Sequence, residues 1–448
     1  MLYSSTRGAA PVVGFDQILT SGLAPDGGLY VPESWPVLDL DELAKCKTYP
    51  EVAAQVMRPF IEGSVCLPVL DDLADHAYKG FRRSEVAPIS PLGEDWLLEL
   101  YWGPTLSFKD YALQLVGRML DHVLEQRGRT ATVLVATSGD TGSSAMEACR
   151  DRKALQAVVL FPAGRISEFQ RRQMTTIESA NVRAVAVEGT FDDCQALVKA
   201  AFAAWGAAAG LVALNSINWA RVAAQTAYYT WALHRLGALE QGAAFAIPTG
   251  NFGNALAGYV AHKMGLPIKR LTIANNSNHG LFDLIVSGGL SIGSVTATLA
   301  PAMDIQVPSN LERLAFDLTR SATASLMTRF RETGQLELAV DDLFRAGYRT
   351  DSEVIAAIAR AAGDHGVVVD PHTAIGWSVG VEHRLPEVPL VIVATAHPAK
   401  FPEAVEQALG TRPAPPADLA DIWERAESLV TIPNELASLR TILFGESS

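Results

Sequence analysis

A parallel α/β body covered by helices is the fold class this sequence predicts. Three observations predict it. Short β-rich runs alternate with helical patterns from about residue 130 onward, the runs end in Gly-rich or polar turns, and the helical patterns keep one apolar stripe. Strands that pair side by side through crossover helices are buried on both faces, so they read as continuous apolar runs and not as alternating ones.

The elements follow in order. "TVLVATSGDTG" is an apolar run ending in a Gly-rich turn, and "SSAMEACR" after it starts a helix. "AVVLFPAG" is a second such run. "VRAVAVEGT" leads into "FDDCQALVKAAF", "LVALNS" into "WARVAAQTAYYTWALHRLG", "AFAIPTG" into "NFGNALAGYVAHKMG", and "LTIANN" closes the series. In the helix that begins at Trp219, the residues Val222, Thr226, Tyr229, Leu233 and Leu236 step by four, three, four and three, which is one helical face. Gly237 stands where a helix would be capped.

Residues 1–90 differ in texture: the turn-rich "GLAPDGGLYVPESWP" precedes helical patterns, giving a separate N-terminal helical unit. The body then spans residues 91–409 as two subdomains. Residues 410–448 open with "TRPAPPADLA", a proline-rich link to a last helix packed on the body.

Composition narrows the function. The chain has 448 residues, 49% hydrophobic and 19% charged, with a net charge of −13. An acidic total of this size disfavours nucleic acid and anionic membrane as partners, while leaving room for a local basic pocket. Cys46, Cys66, Cys149 and Cys194 form no CxxC pair, which suits a reducing compartment and argues against a disulfide scaffold or a Cys-rich metal site. The nine histidines show no metal-ligand spacing. "MLYSSTRGAA" lacks the apolar run of a signal peptide. The uncharged stretches Ala200 to Ala220 and Leu284 to Met303 are too weakly apolar for a bilayer core. The expectation is a soluble, cytoplasmic protein without metal.

In a parallel sheet, ligands bind where loops leave the carboxyl ends of strands and meet helix N-termini. Four loops occupy such places. In "AIPTGNFGNALAGY", Gly250, Asn251, Phe252, Gly253 and Asn254 lie between a strand and a helix. Converging backbone N–H groups and the helix N-terminus favour an anion there, although a plain tight turn has the same pattern. In "ATSGDTGSSA", Ser138 and Thr141 with nearby amides can hold a carboxylate or phosphate, and Asp140 can accept from a hydroxyl. Asp-Thr-Gly is also the aspartic-protease triplet, but that chemistry needs a second carboxylate triplet and an all-β setting, and neither is present. In "NSINWARV", Asn215 and Arg221 flank a helix start, a good place for a guanidinium that binds phosphate and an equally ordinary one for a surface ion pair. In "IVATAHPAKF", Thr395 ends a buried-type strand, and His397 reads as structural.

Lys109, in "YWGPTLSFKD", is the remaining candidate. A lone lysine is usually solvated. Here its neighbours Phe108, Tyr111, Leu113 and Leu115 are apolar, as if the segment enters a core. A desolvated amine loses basicity and can form Schiff bases. The residues taken alone thus reach a phosphate-bearing ligand and leave open whether Lys109 is its covalent partner. Together, a phosphate cradle, a hydrogen-bonding Thr and a buried Lys describe pyridoxal phosphate.

The motifs "YSSTRG", "GLAPDGGLYVPE", "GPTLSFKD", "ATSGDTG", "EGTFDDCQALVK", "NSINWARV", "PTGNFGNALAGY", "PAMDIQVPSN", "DPHTAIG" and "ATAHPAKFPEAV" run almost end to end, and with them the chain resembles the threonine synthase family of the long bacterial and fungal type. The resemblance implies a fold-type II pyridoxal phosphate enzyme, like the tryptophan synthase β chain, that turns O-phosphohomoserine and water into threonine and phosphate. It implies that Lys109 carries the cofactor as a Schiff base and shuttles protons. By the same resemblance Gly250, Asn251, Phe252, Gly253 and Asn254 hold the cofactor phosphate, Thr395 bonds the pyridine nitrogen, and Asp140 lies near the ring hydroxyl. Ser138 and Thr141 take the substrate carboxylate, and Asn215 and Arg221 grip the substrate phosphate. A monomer or homodimer acting on a small phosphorylated amino acid is expected. Tyr101-Trp102 stands where the family usually has Phe-His, Ala163 where Lys is common, and Asn275 and His279 where Thr and Asp are usual. Those departures keep a second expectation open: a paralogue carrying out elimination or replacement on another activated amino acid.

Overall fold

The computed structural model describes residues 1–137 and 139–445. The strands do not form one sheet. They divide between two, and every expected βα unit is present. The larger sheet has the order Phe344–Tyr348, Ile268–Asn275, Ala243–Pro248, Leu390–Ala394, Asp95–Glu99 and Ile89–Leu92. Its first five strands are parallel and the last pairs antiparallel as a hairpin. Ala243–Pro248 and Leu390–Ala394 are buried at every residue, which is why both read as unbroken apolar runs. The smaller sheet runs Val430–Pro433, Val182–Glu188, Leu155–Pro162, Ala131–Ala136 and Leu211–Val212, parallel throughout.

Register brings the carboxyl ends of the central strands level. Ala136 pairs with Leu160, Pro248 with Ala274, and Ala394 with Glu99. The loops that follow these pairs therefore leave at matched heights, and they include the motif loops singled out above. The helix Trp219–Arg235 follows the expected stripe and is buried from Trp219 through Leu233, with Gly237 taking a φ of 63° just beyond its end.

The N-terminal unit opens on a three-stranded antiparallel sheet, Val13–Gly14, Leu2–Ser5 and Tyr30–Pro32, ahead of its helices. Its helices Tyr49–Met57 and Leu70–Tyr78 meet the body through aromatic rings. Tyr49 lies edge-on to Tyr78 (4.9 Å), Tyr111 (5.6 Å) and Trp231 (5.8 Å). Two hydrogen bonds cross between the unit and the body: Tyr78 Oη donates to the Tyr111 carbonyl (2.8 Å) and Trp231 Nε1 to the Ala87 carbonyl (2.7 Å), while the buried Tyr49 hydroxyl has no partner among the described residues. At the other end of the chain, Val430–Pro433 adds an edge strand to the smaller sheet, and Leu436–Phe444 packs on the helix Phe191–Ala204. Among the described residues no helix is long and apolar enough to cross a membrane.

Two helices matter most for the site. Lys109–Gln126 begins at Lys109, and Asp140–Cys149 begins at Asp140. They approach closely because Gly117 has no Cβ; one placed there would lie 2.8 Å from the Ala148 carbonyl oxygen and 3.1 Å from its Cβ. A Gly117→Ala variant is expected to lose about 1–3 kcal/mol, the usual range for overpacking, read as a lower unfolding midpoint. An unchanged midpoint would mean that the two helices can part without cost.

Candidate active site

The segment that carries Lys109 is tied to the end of a neighbouring strand. The Phe108 N–H donates to the Thr395 carbonyl (2.9 Å), and the His397 N–H to the Leu106 carbonyl (3.1 Å). Leu106 turns the chain with a φ of 60°, a left-handed conformation that a branched residue adopts only under constraint. Asp110 supplies that constraint. It is fully buried and accepts from the Thr105 N–H (2.8 Å) and hydroxyl (2.7 Å).

Lys109 is held inside. Its side chain is 12% exposed, and Nζ lies 3.0 Å from Asp140 Oδ2. Burial lowers the basicity of the amine; Asp140 works against that, and the positive charges of Lys400 and Arg221 add to it. Burial alone would raise the Asp140 carboxyl, but Lys109 and Lys400, helped by Gln170, outweigh it and keep the group well below the usual carboxylate range. Gln170 Nε2 donates to Asp140 Oδ1 (2.9 Å), and Lys400 Nζ lies 3.0 Å from the same oxygen. Asp140 owes its place to its loop. Thr137 Oγ1 accepts from the Gly139 and Gly142 N–H groups, each at 2.9 Å. Gly139 has a φ of 150°, and a Cβ there would strike Gln170 at 2.5 Å. Thr141 is half-buried in the first helical turn, while Ser138 lies outside the described residues.

Arg221 is 3% exposed and sits in the first turn of Trp219–Arg235. Its Nη1 donates to the Leu214 carbonyl (3.3 Å), its Nε has no partner, and no carboxylate among the described residues pairs with it. Burial pulls it down to about 10, so it remains a cation. Asn215 uses Oδ1 to accept from the Ile217 N–H (3.2 Å), and the helix cap itself is Asn218, which accepts from the Ala220 N–H (3.0 Å).

The turn after Ala243–Pro248 is pinned in its left-handed step at Phe252, with φ 61°, and the helix Gly253–Lys263 starts at once. Gly250 is needed by close approach: a Cβ would come within 2.7 Å of the Ala302 carbonyl oxygen. Asn254 turns its side chain into the loop, donating to the Pro248 carbonyl (2.9 Å) and accepting from Thr249 (2.6 Å). Its side chain therefore shapes the turn, and its backbone N–H stands in the first turn of the helix. Ser309 and Asn310 join this turn to the Arg221 loop. Ser309 Oγ meets Asn251 Oδ1 (3.2 Å) and Ser216 Oγ (2.9 Å), and Asn310 Nδ2 donates to the Ser216 carbonyl (2.9 Å).

Three groups fit pyridoxal phosphate: a buried amine with lowered basicity, a turn at a helix N-terminus crowded enough to require Gly, and Thr395 at a strand end; the buried guanidinium with an unmatched N–H fits a further anion. Sequence reasoning missed Lys400, Gln170, Ser309 and Asn310. Only Lys400 carried a signal, as a lysine flanked by Ala399 and Phe401 beyond a buried strand.

None of the departures from the family pattern has a bond to Lys109, Asp140 or Arg221, although Asn275 reaches the residue before the Gly250 turn. Trp102 Nε1 donates to Glu99 (2.6 Å), and its ring lies under the Arg83 guanidinium at 4.2 Å. With Tyr101, His397 and Leu409 it lines a cavity of about 300 Å³ that Lys109, Asp140, Arg221, Thr395 and the Gly250 turn do not border. His279 stacks on Tyr348 (4.5 Å) and pairs with Asp283 (3.0 Å), partly exposed. Asn275 bridges the Thr249 carbonyl (3.2 Å) and the Phe282 N–H (3.0 Å). Ala163 continues strand pairing through its N–H to the Val187 carbonyl (2.9 Å).

Three family models match the chain: "Threonine synthase N terminus" over residues 2–78, "Pyridoxal-phosphate dependent enzyme" over 93–396 and "Threonine synthase, C-terminal" over 373–443. The threonine synthase of Pseudomonas aeruginosa is 46% identical, covering 99% of this chain and 98% of that one. Threonine synthase-like 2 of Homo sapiens is 37% identical, covering 96% and 94%. The crystal structure of pyridoxal-phosphate-bound threonine synthase from Brucella melitensis superposes with a TM-score of 0.95 at 43% identity, covering 99% of this chain and 98% of that chain. The chain belongs to the threonine synthase family of fold-type II pyridoxal-phosphate dependent enzymes.

Proposed function

We propose that the chain converts O-phospho-L-homoserine and water into L-threonine and phosphate, with Lys109 as the reactive amine. The observation that carries this reading is Arg221, a buried cation without a carboxylate partner whose charge is felt at Lys109. A buried guanidinium left unpaired is costly, so its native partner is an anion that arrives from solution. A phosphorylated substrate supplies one.

Pyridoxal phosphate, when bound, supplies a conjugated ring that accepts the electron pair left as a C–H bond breaks. The chain's residues do the rest. The backbone N–H groups of Gly250, Asn251, Phe252, Gly253 and Asn254, at the N-terminus of Gly253–Lys263, hold the cofactor phosphate. Thr395 bonds the ring nitrogen, and Asp140 lies by the ring hydroxyl. Thr141, with Ser138, receives the substrate carboxylate. Asn215 and Arg221 hold the substrate phosphate and keep it after the Cγ–O bond breaks. Lys109 takes the proton from Cα, a second proton leaves Cβ as the Cγ–O bond breaks, and Lys109 delivers one proton to Cγ and, once water has added at Cβ, one back to Cα; its lowered basicity suits an amine that must be free to accept. The water that adds at Cβ passes its proton to the phosphate held by Arg221.

A paralogue acting on another activated amino acid had its support in the departures from the family pattern. Their bonds to Glu99, Val187, Thr249, Phe282 and Asp283 reach neither Lys109 nor Arg221, which favours the first reading. The four cysteines are free and buried, in keeping with a cytoplasmic enzyme. A monomer or homodimer is the assembly that goes with this reading.

Cofactor-loaded protein is expected to release phosphate from O-phosphohomoserine and to form threonine in equal amount; phosphate without threonine would overturn the reaction. Lys109→Ala should fold and lose at least about 10³-fold in kcat. Appreciable residual turnover would remove Lys109 from its role. Arg221→Ala should raise KM about 10- to 100-fold, as expected for losing charge-assisted hydrogen bonds to phosphate, and steady-state constants that stay put would take Arg221 out of the phosphate site.

A further inference from the structure

Lys400 is a second lysine in the same centre, and it is fully buried. It ends the short turn Pro398–Lys400 that follows the strand Leu390–Ala394 and Thr395. Its Nζ lies 3.0 Å from Asp140 Oδ1 and donates to the Thr105 carbonyl at 2.6 Å. Asp140 is thus divided between two ammonium groups, Lys109 on Oδ2 and Lys400 on Oδ1. A tether alone would not require a charge. The Thr105 carbonyl already accepts from Gln173 Nε2 (3.0 Å), and a neutral donor on Asp140 is present in Gln170. Burying an ammonium is expensive, and it is tolerated where the charge itself is used.

That use follows from what Lys109 must do. A reactive lysine leaves its carboxylate partner when its nitrogen engages the cofactor or takes up another position. Without Lys400, Asp140 would then be a buried carboxylate left with the neutral donor Gln170, and such a group takes up a proton. We propose that Lys400 is a positioning residue of the reaction centre, which keeps the Asp140 carboxylate charged and aimed when Lys109 leaves it. The same ammonium stands against a proton on Lys109. The titratable groups that face this cluster are Lys109, Asp110, Asp140, Arg221, His397 and Lys400, with Arg82 and Asp370 acting on His397. Burial, with the charge of Arg82 adding, pulls the His397 imidazole down to about 4, so it is neutral and does not substitute for Lys400.

The inference rests on Lys109 being the reactive amine. Its test uses the full-length chain freed of cofactor, with acetic anhydride as the probe and mass spectrometry reading the acetylation of Lys109 against pH. Removing a neighbouring cation raises an amine's pKa, so Lys400→Met and Lys400→Gln should both move the labelling midpoint up by about one pH unit. Lys400→Gln keeps a donor for the Thr105 carbonyl, so a purely structural role would leave its midpoint in place, and that result overturns the proposal. If neither variant folds, Asp140→Asn decides. With the carboxylate gone, Lys109 faces Lys400 and Arg221 unshielded and its midpoint must fall; an unmoved midpoint overturns the coupling. Threonine formation by the loaded wild-type enzyme is measured beside it. A wild type that makes threonine while the Lys400 variants leave the midpoint unmoved fails this inference alone, and an inactive wild type fails the functional reading alone.

Discussion

One buried carboxylate holds the two halves of the catalytic body together. Asp140 begins a helix that follows a strand of the smaller sheet, while Lys109 and Lys400 belong to segments that follow strands of the larger one. Lys109 and Lys400 sit on Asp140, Arg221 adds its charge at Lys109, and even with Asp110 ionised the count is three positive to two negative. A water-excluded centre does not keep surplus charge without a use for it. Here the surplus prepares the site for anions: a cofactor phosphate, and a substrate that carries both a carboxylate and a phosphate.

Packing gives that carboxylate its precision. The helices headed by Lys109 and Asp140 can lie close because Gly117 leaves room for Ala148, and Gly142 leaves room for Thr137, Val159 and Met174. Arg221 is placed from the opposite side. Its helix is gripped by the N-terminal unit: Asn218 donates to the Leu19 carbonyl (3.2 Å), and Tyr49 packs on Trp231 further along. The N-terminal unit therefore contributes to the site, and its Arg82 also donates to the Pro104 carbonyl of the loop that leads to Lys109 (3.2 Å). The unit fixes the helix whose first turn carries the guanidinium.

Much of this was legible in the sequence, for definable reasons. The stripe from Val222 to Leu236 and the apolar runs before each Gly-rich turn are local patterns, and local patterns survive without coordinates. Lys109 stood out because apolar neighbours surrounded a residue that prefers water. Which strands share a sheet was not legible, since register is decided between segments far apart in the chain. Phe245 and Val391 lie side by side in one sheet, and Val133 and Val212 in another, yet all four strands carry the same kind of apolar run. Asn254 shows the same limit in miniature. Its place in a Gly-rich turn suggests a ligand contact, and only the coordinates show that its side-chain amide also braces the turn.

Position along a motif does not determine direction in space, and this decides how the substitutions around the site are to be weighed. Trp102 lies seven residues from Lys109, in the same loop region, yet it donates to Glu99 and borders a different cavity. His279 follows a strand that ends at the site's edge of the sheet, yet it stacks on Tyr348 and answers to Asp283. Lys400, three residues beyond the His397 that shares Trp102's cavity, turns the other way and reaches Asp140. A change in the chain's chemistry would have to alter groups that touch the reacting atoms or set their charge. On the reading proposed above those groups are Lys109, Asp140, Arg221 and, through Asp140, Lys400: Asp140 is paired with both lysines, and the charges of Lys400 and Arg221 are felt at Lys109.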